Sequence, residues 1–482
     1  MDLDPDLCRQ AMLARDPRFD GRFFTGVTST GIYCRPICPA RPPKPENCVF
    51  LPSAAAAQEA GFRPCLRCRP ETAPDLGAWR GTSSSVARAL ALIEAGALDE
   101  ATVDQLATRL GLGERQLRRL FSTHLGASPV AVAQTRRILL AKQLLHETGL
   151  SMVEIAFASG FGSVRRFNET FQALFGRPPT SLRRPSDAGG ERTALTLSLS
   201  YRPPYDWGQV LAFLADRAIP GVERVEDGVY RRTIALRDAA GDIAVAHEPA
   251  RVRLRATINF PRIDALPTII ARLRRIFDLA ADPQVINAAL ARDPGLQPLV
   301  NARPGLRVPG AWDGFEVGLQ TILARHLRPD AARAIMGQLA HGHASSFSNG
   351  PAGLEYIFPS PAALAKASLA GLPATCVEAI KTFATACAAD EGLFERGADL
   401  EASLARLCSI PGIDLLAAHH IAMRALREPD AFPEPVGRGR GHQDLWRPWR
   451  AYAALHLSPG GEIPQAWPDA HLKEAPQHET AA

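Results

Sequence analysis

The chain has no run of about 18 consecutive apolar residues, so no segment is long enough to cross a bilayer as a helix. Its opening residues, MDLDPDLCRQ, lack the apolar stretch and cleavage pattern of a secretion signal, and the expected location is the cytoplasm. Neither charge sign dominates: 55 Lys and Arg against 50 Asp and Glu leave a net charge of +5. That permits a polyanionic partner without demanding one. No histidine occurs between Met1 and Arg80, which removes imidazole from any metal-ligand set in that stretch. Cysteine is sparse and odd in number, nine in all, which argues against a disulfide framework. Yet six of the nine fall before residue 70, while Cys376, Cys387 and Cys408 are scattered far downstream. Metal is the leading explanation for that crowding.

At 482 residues the chain is too long for one core. Residues 1–78 are rich in Cys, Pro and Arg, with little helical periodicity. Residues 82–184 turn strongly helical. The run Thr82-Ser83-Ser84-Ser85 offers caps for a helix carrying Val86, Ala89, Leu90 and Ile93 on one face, and glycines punctuate the short helices that follow. A polar linker leads to residues 194–305. There Leu195, Leu197, Leu199 and Tyr201 alternate as in a strand, further strands are expected at 229–236, 243–246 and 251–259, and one helix near 207–217. Residues 306–457 read as helical again, and 458–482 as a polar tail. The fold class expected is multidomain and mainly α with α+β parts.

Cys34-Arg35-Pro36-Ile37-Cys38 and Cys65-Leu66-Arg67-Cys68 form a C-x3-C and C-x2-C pair across a modest loop. Zinc favours four tetrahedral S or N ligands, and each knuckle delivers two thiolates from one turn. A short segment with few aliphatic residues also needs such a staple. Spacing alone fits a purely structural zinc ribbon as well as a reactive centre. Cys8 and Cys48 fall outside the set and read as ordinary thiols.

The stretch from Phe23-Phe24-Thr25-Gly26 through Ser29-Thr30-Gly31-Ile32-Tyr33-Cys34-Arg35-Pro36 to Cys38, with Phe62-Arg63-Pro64-Cys65 and Cys68, closely resembles the N-terminal domain of the Ada family. The resemblance covers nearly all of residues 10–70, and Ser29 is a conservative change within its Thr-Thr-Gly-Ile element. It implies that zinc-bound Cys34 removes a methyl group from a methylated DNA phosphate, irreversibly. A zinc ion held by four thiolates carries a net charge of minus two, so its sulfurs stay deprotonated and electron-rich. Methylation of one sulfur removes a negative charge and so weakens repulsion of the phosphate backbone. Arg35 and Arg67, beside the ligands, are candidate DNA contacts.

Two helix-turn-helix patterns follow. In the first, Leu106-Ala107 and Gly111 precede a basic helix with Arg115, Arg118 and Arg119 outward and Leu117, Leu120 and Phe121 inward. In the second, Ile155-Ala156 and Gly160 precede Ser163, Arg165, Arg166 and Asn168. Such residues reach phosphates and base edges in a major groove. One unit alone would be an ordinary helical bundle with solvated arginines; two in tandem are rarer. With the closing Phe175-Gly176-Arg177-Pro178-Pro179 the segment resembles the AraC-type DNA-binding domain. Together the two resemblances imply double-stranded and promoter DNA as partners, with RNA polymerase, and no membrane.

Residues 195 to 457 resemble the AlkA family of DNA glycosylases, through Arg202-Pro203-Pro204-Tyr205-Asp206-Trp207, Asn301 to Gly310, Asp313-Gly314-Phe315-Glu316, Ile421 to Arg424 and Trp446 to Tyr452. This implies a small α+β domain and a helix-hairpin-helix core. The family's chemistry is less well preserved. Where its hairpin reads P-G-[IV]-G-x-W-T-A, this chain has Pro411-Gly412-Ile413-Asp414-Leu415-Leu416-Ala417-Ala418, with Asp414 for a glycine, Leu416 for the pocket tryptophan and His420 for an aromatic. The essential aspartate's position, four residues after the Phe of Phe432-Pro433, holds Val436. A Gln-Gln-Val-Ser-like stretch reads Arg325-His326-Leu327-Arg328. Glu434 or Asp444 could serve only by precise relocation. The expectation is a degenerate glycosylase half. Two readings compete: an active DNA-3-methyladenine glycosylase removing alkylated purines, and a non-enzymatic regulator with a structural zinc. No P-C-H-R-V methyl-acceptor motif is present, so repair of methylated guanine is not expected.

Overall fold

The computed structural model describes residues 4–74, 84–183, 194–343, 347, 350–390, 392–395, 399–433 and 443–458. Val436, Glu434 and nearly all of the 458–482 tail therefore lie outside the described residues, as do Thr82 and Ser83.

The N-terminal body opens with a helix the sequence reading did not foresee, Pro5–Ala14, whose first turn is capped by Asp4 accepting from Asp6 N at 2.9 Å. A small sheet follows, built from β1 (Phe24–Val27), β2 (Ile32–Cys34), β3 (Cys48–Leu51) and β4 (Arg63–Pro64) in the order β3-β1-β2-β4. Only the β2–β4 pair is parallel. Gly26 is obligatory in β1, because a Cβ there would stand 2.7 Å from the Phe62 ring. Helix Ala54–Glu59 covers the sheet with four buried alanines.

The next body is a duplicated motif. Thr102 and Ser151 each close a capping box, with Gln105 and Glu154, at the start of helices Val103–Arg109 and Met152–Ala158. Gly111 (φ +71°) and Gly160 (φ +89°) take the left-handed turn, and helices Glu114–Leu125 and Val164–Phe175 follow. Leu117, Phe121 and Leu125 point inward in the first unit; Phe167, Phe171 and Phe175 do so in the second. The 19-residue helix Pro129–Glu147 joins the units. The first unit has its own apolar core, whereas that of the second runs on into the C-terminal half.

That half begins with an antiparallel sheet of β5 (Leu195–Ser200), β6 (Glu223–Glu226), β7 (Val229–Leu236), β8 (Ala239–Glu248) and β9 (Arg253–Asn259), ordered β5-β9-β8-β7-β6. Alternation buries Leu254, Ala256 and Ile258 of β9 on one face, and helix Trp207–Asp216 packs against β6 and β7. A helical layer follows. Helix Gly314–His326 meets Ala374–Ala389 closely enough that a Cβ at Gly318 would lie 2.0 Å from the Phe383 ring. Buried Arg232 of β7 binds Glu316 at 2.8 Å and Glu223 at 3.1 Å, tying sheet to helices. Helices Leu400–Cys408 and Leu415–Arg424 form the hairpin, with Gly412 left-handed at its turn (φ +89°).

Candidate metal centre and DNA-facing helices

Cys34 ends β2, and the parallel β4 delivers Cys65 alongside it, Cys65 N donating to Tyr33 O at 3.0 Å. A turn closed by Cys38 N to Arg35 O (3.1 Å) returns Cys38 to the same point. The Sγ atoms of Cys34, Cys38, Cys65 and Cys68 all lie within 4.8 Å of one another. Four sulfurs each at about 2.3 Å from one ion sit about 3.8 Å apart, so the cluster fits a tetrahedral divalent ion. Without a cation the thiols compete for protons. Contact with the Cys34 sulfur pulls Cys38 down to about 7, whereas contacts with Cys38 and then Cys65 push Cys34 up. Four simultaneous thiolates need a compensating divalent charge, and the centre is a zinc site.

Access differs among the four. Cys65 and Cys68 are buried, and their sulfurs accept from the backbone N–H groups of Arg67 (3.4 Å) and Arg35 (3.3 Å). Cys34 and Cys38 are partly exposed. Arg67 is exposed beside them. Arg35 is not where the sequence reading put it. Its guanidinium is turned inward, 7% exposed, against both carboxylate oxygens of Asp20, the carbonyl of Cys68 (3.1 Å) and Thr72 Oγ1 (2.6 Å). The buried guanidinium braces the knuckle from inside and faces the protein, not the surface.

Lys142 belongs to the site without any sequence motif to mark it. It lies on the core face of helix Pro129–Glu147 with no side-chain exposure, and donates to Cys65 O at 3.0 Å and Glu71 Oε2 at 2.5 Å. Glu71 also binds Arg69 at 3.0 Å, and Arg69 binds Glu147 at 2.8 Å. Burial would raise the Glu71 carboxyl, but His146, Lys142 and Arg69 together outweigh it and hold it at about 2. Lys142 itself is lowered, burial prevailing over its one carboxylate partner. The carboxylate, with several cationic neighbours, is the firmly ionised member of the pair. The signal was legible: Ile138, Lys142 and Leu145 share one helical stripe, and a lysine there must find a buried acid.

On the paired helix-turn-helix units, Arg115, Arg118, Arg119, Ser163, Arg165, Arg166 and Asn168 are all exposed. Arg118 and Arg165 pair with Glu114 (2.6 Å) and Glu169 (2.8 Å) one turn away. Ser163 Oγ is committed to capping its helix, accepting from Arg166 N at 3.2 Å.

In the hairpin, Asp414 caps Leu415–Arg424, accepting from Ala417 N at 2.9 Å, and pairs with Arg325 at 2.5 Å. His420 is buried against Thr321 Oγ1 at 2.9 Å. Asp444 is almost fully exposed and reaches Arg447 at 3.4 Å.

A metal centre seated on paired helix-turn-helix units, ahead of a glycosylase-type fold, defines a zinc-bearing DNA-repair and regulatory protein. The metal binding domain of Ada matches residues 7–71, a helix-turn-helix domain 106–185, and the AlkA N-terminal domain 196–313. The probable bifunctional transcriptional activator/DNA repair enzyme AlkA of Mycobacterium tuberculosis is 37% identical across 96% of this chain and 98% of its own length. DNA-3-methyladenine glycosylase 2 of Escherichia coli is 32% identical over 54% of this chain and 95% of that protein. The bifunctional transcriptional activator/DNA repair enzyme Ada of Escherichia coli is 33% identical over 40% of this chain and 51% of its own length. The chain belongs to the family of bifunctional transcriptional activator/DNA repair enzymes, with an Ada-type front and an AlkA-type rear. No helix among the described residues is long and apolar enough to span a membrane.

Proposed function

We propose that Cys34 is the methyl acceptor for methylphosphotriesters in double-stranded DNA. The carrying observation is the uneven treatment of the four sulfurs. Cys65 and Cys68 are buried and damped by N–H···S bonds, and Cys38 has the Ala40 N–H beside it. Cys34 is partly exposed, and among the described residues no backbone N–H donates to its sulfur. Zinc bound by the four cysteines keeps the sulfurs deprotonated at neutral pH. The Cys34 thiolate attacks the methyl carbon in line, its lone pair forming S–CH3 as CH3–O breaks, and the phosphodiester anion departs. No proton moves. The thioether has no route back, so each molecule reacts once.

Loss of one negative charge at the knuckle favours the DNA backbone, and the outward arginines of both helix-turn-helix units then hold promoter DNA for RNA polymerase. The working units are residues 1–78, 82–184, 194–305 and 306–457, followed by the tail. Thiol chemistry of this kind needs a reducing compartment, the cytoplasm.

The glycosylase half we read as catalytically degenerate. Val436 occupies the aspartate position, and three described carboxylates near the hairpin are spoken for: Asp414 by Arg325, Asp430 by Arg447 (2.6 Å) and Arg450 (2.8 Å), Asp278 by Arg427 (2.7 Å). The competing reading, an active glycosylase, is favoured by the long match to DNA-3-methyladenine glycosylase 2.

Incubation with duplex DNA carrying labelled methylphosphotriesters separates these readings. Label moving to the protein, and lost in Cys34→Ser, supports the acceptor. Release of alkylated base, abolished in Glu434→Gln, would establish the glycosylase. Neither event leaves a plain regulator.

A further inference from the structure

The two helix-turn-helix units are joined through one helix, Pro129–Glu147. Val132 and Ala133 near its start belong to the core of the first unit, and Ile138, Ala141, Leu144 and Leu145 further along belong to that of the second. Nineteen residues make a helix about 28 Å long, and such helices bend. One local latch assists. Asp99 of the first unit pairs with Arg136 and, at 2.8 Å, with Arg137, and its carboxylate fills the space that a Cβ at Gly160 would take in the turn of the second.

The C-terminal half adds holds on both sides of that hinge. Residues 263–276 touch the two units in one stretch. The turn Ile263–Ala265 packs on helix Met152–Ala158 of the second unit, and helix Leu266–Ile276, which follows without a break, packs on helix Ser84–Glu94 of the first. At the latter contact Thr268 Oγ1 donates to Ala95 O at 3.4 Å. Arg109 of the first unit donates from Nε to Glu395 at 3.0 Å. The shared helix itself grips edge strand β5: Gln143 Nε2 donates to Ser198 O at 2.9 Å, and Ser198 N donates to Glu147 Oε2 at 3.0 Å. The apolar core of the second unit runs on through Leu197 and Leu199 of the same strand. These holds leave the DNA-facing side clear, with Arg115, Arg118, Arg119, Arg165 and Arg166 exposed.

We infer that the C-terminal half is the frame that fixes the distance and angle between the two DNA-reading units, and so sets the half-site spacing the protein accepts. Two units entering one face of a duplex in successive major-groove segments must stand about 34 Å apart in matched rotation. One bending helix and one carboxylate latch leave a hinge, and a third body attached on both sides of it closes the hinge. This gives the half read as lacking glycosylase chemistry a task that needs only its fold. The inference rests on the proposal that both units hold promoter DNA.

The test uses the full zinc-loaded chain with donor and acceptor dyes on genetically encoded azido residues at positions 122 and 172. Ser122 and Gln172 are exposed and occupy equivalent places on helices Glu114–Leu125 and Val164–Phe175. Single-molecule energy transfer without DNA should give one narrow distribution. Thr268→Arg wedges the frame off the first unit, and Ile263→Asp strips an apolar contact from the second; each should broaden the distribution. The variants act on different units, so either one decides the matter where the other fails to fold. The same proteins without dyes are then measured on the duplex that wild type enriches from a random-sequence pool. Two base pairs inserted between its protected tracts should weaken wild-type binding at least about tenfold, and binding by the variants less than about threefold. Wild-type distributions in both variants, or equal losses on the lengthened duplex in wild type and variants, overturn the inference. A pool with no enriched duplex overturns the DNA-reading proposal, and the spacing role with it.

Discussion

Replacing Lys142 with methionine should detach the zinc knuckle from the helix that carries both DNA-binding units. The side chain is fully enclosed and satisfies two groups at once, the Cys65 carbonyl and the Glu71 carboxylate. Methionine keeps the volume but strands both acceptors. Breaking a buried pair from one side costs about 3–5 kcal/mol. Glu71 retains Arg69 at 3.0 Å, so the lower end, about 3 kcal/mol, is the appropriate figure. A urea dependence of about 2 kcal/mol per molar then puts the midpoint of unfolding lower by about 1.5 M. The useful signal is zinc release to a chromogenic chelator in urea, because it reports the N-terminal body within a chain whose bodies need not unfold together. Lys142→Met with Glu71→Leu should recover part of the loss, since the second change removes the stranded carboxylate. If the single variant releases zinc within about 0.3 M urea of wild type, the brace contributes nothing and the reasoning fails.

Acid should act on the two halves in different windows. Glu71 sits at about 2 in the fold against an ordinary 4.5, so its contribution is complete above pH 4.5 and disappears as pH falls towards 2. Buried His456 is held down at about 4, by burial first and Arg303 second, against an ordinary 6.5; it therefore costs the C-terminal half stability earlier, between pH 6.5 and 4. Tryptophan fluorescence of the C-terminal half should begin to change between pH 6.5 and 4, and a signal that stays flat until pH falls towards 2 would contradict it. Arg165→Gln and Arg166→Gln should each lower the salt dependence of promoter binding by about one phosphate contact, read from affinity against salt concentration. Unchanged slopes would remove that helix from the interface. Asp414→Asn keeps a helix cap while deleting the charge, so stability should move by less than about 0.5 kcal/mol while duplex binding strengthens several-fold in fluorescence anisotropy. Weaker binding would show that the carboxylate does not oppose DNA.

Much of this architecture was written in local patterns. The cysteine knuckles need only two tight turns to meet, and the tandem helices announce themselves through caps and glycines at Thr102, Gly111, Ser151 and Gly160. The strand at 229–236 is legible by alternation, because one face of the sheet is buried and the other is not. What escaped were features set by tertiary placement. The helix Pro5–Ala14 is short, and its few apolar positions looked aperiodic beside so many Pro and Arg residues. Arg35 carried the composition of a DNA contact, and its partners Asp20, Cys68 and Thr72, brought together by the fold, turn it inward. Strand β6 has the pattern Glu-Arg-Val-Glu and no apolar alternation; pairing with β7 alone makes it a strand.

The reactive sulfur itself can be observed directly. Zinc-loaded protein exposed to duplex DNA bearing methylphosphotriesters, then digested and mapped by mass spectrometry, should carry a single methyl group on the peptide containing Cys34, with zinc retained in the intact protein. A methyl found on Cys38 instead, or none on any of the four ligands, would contradict the account.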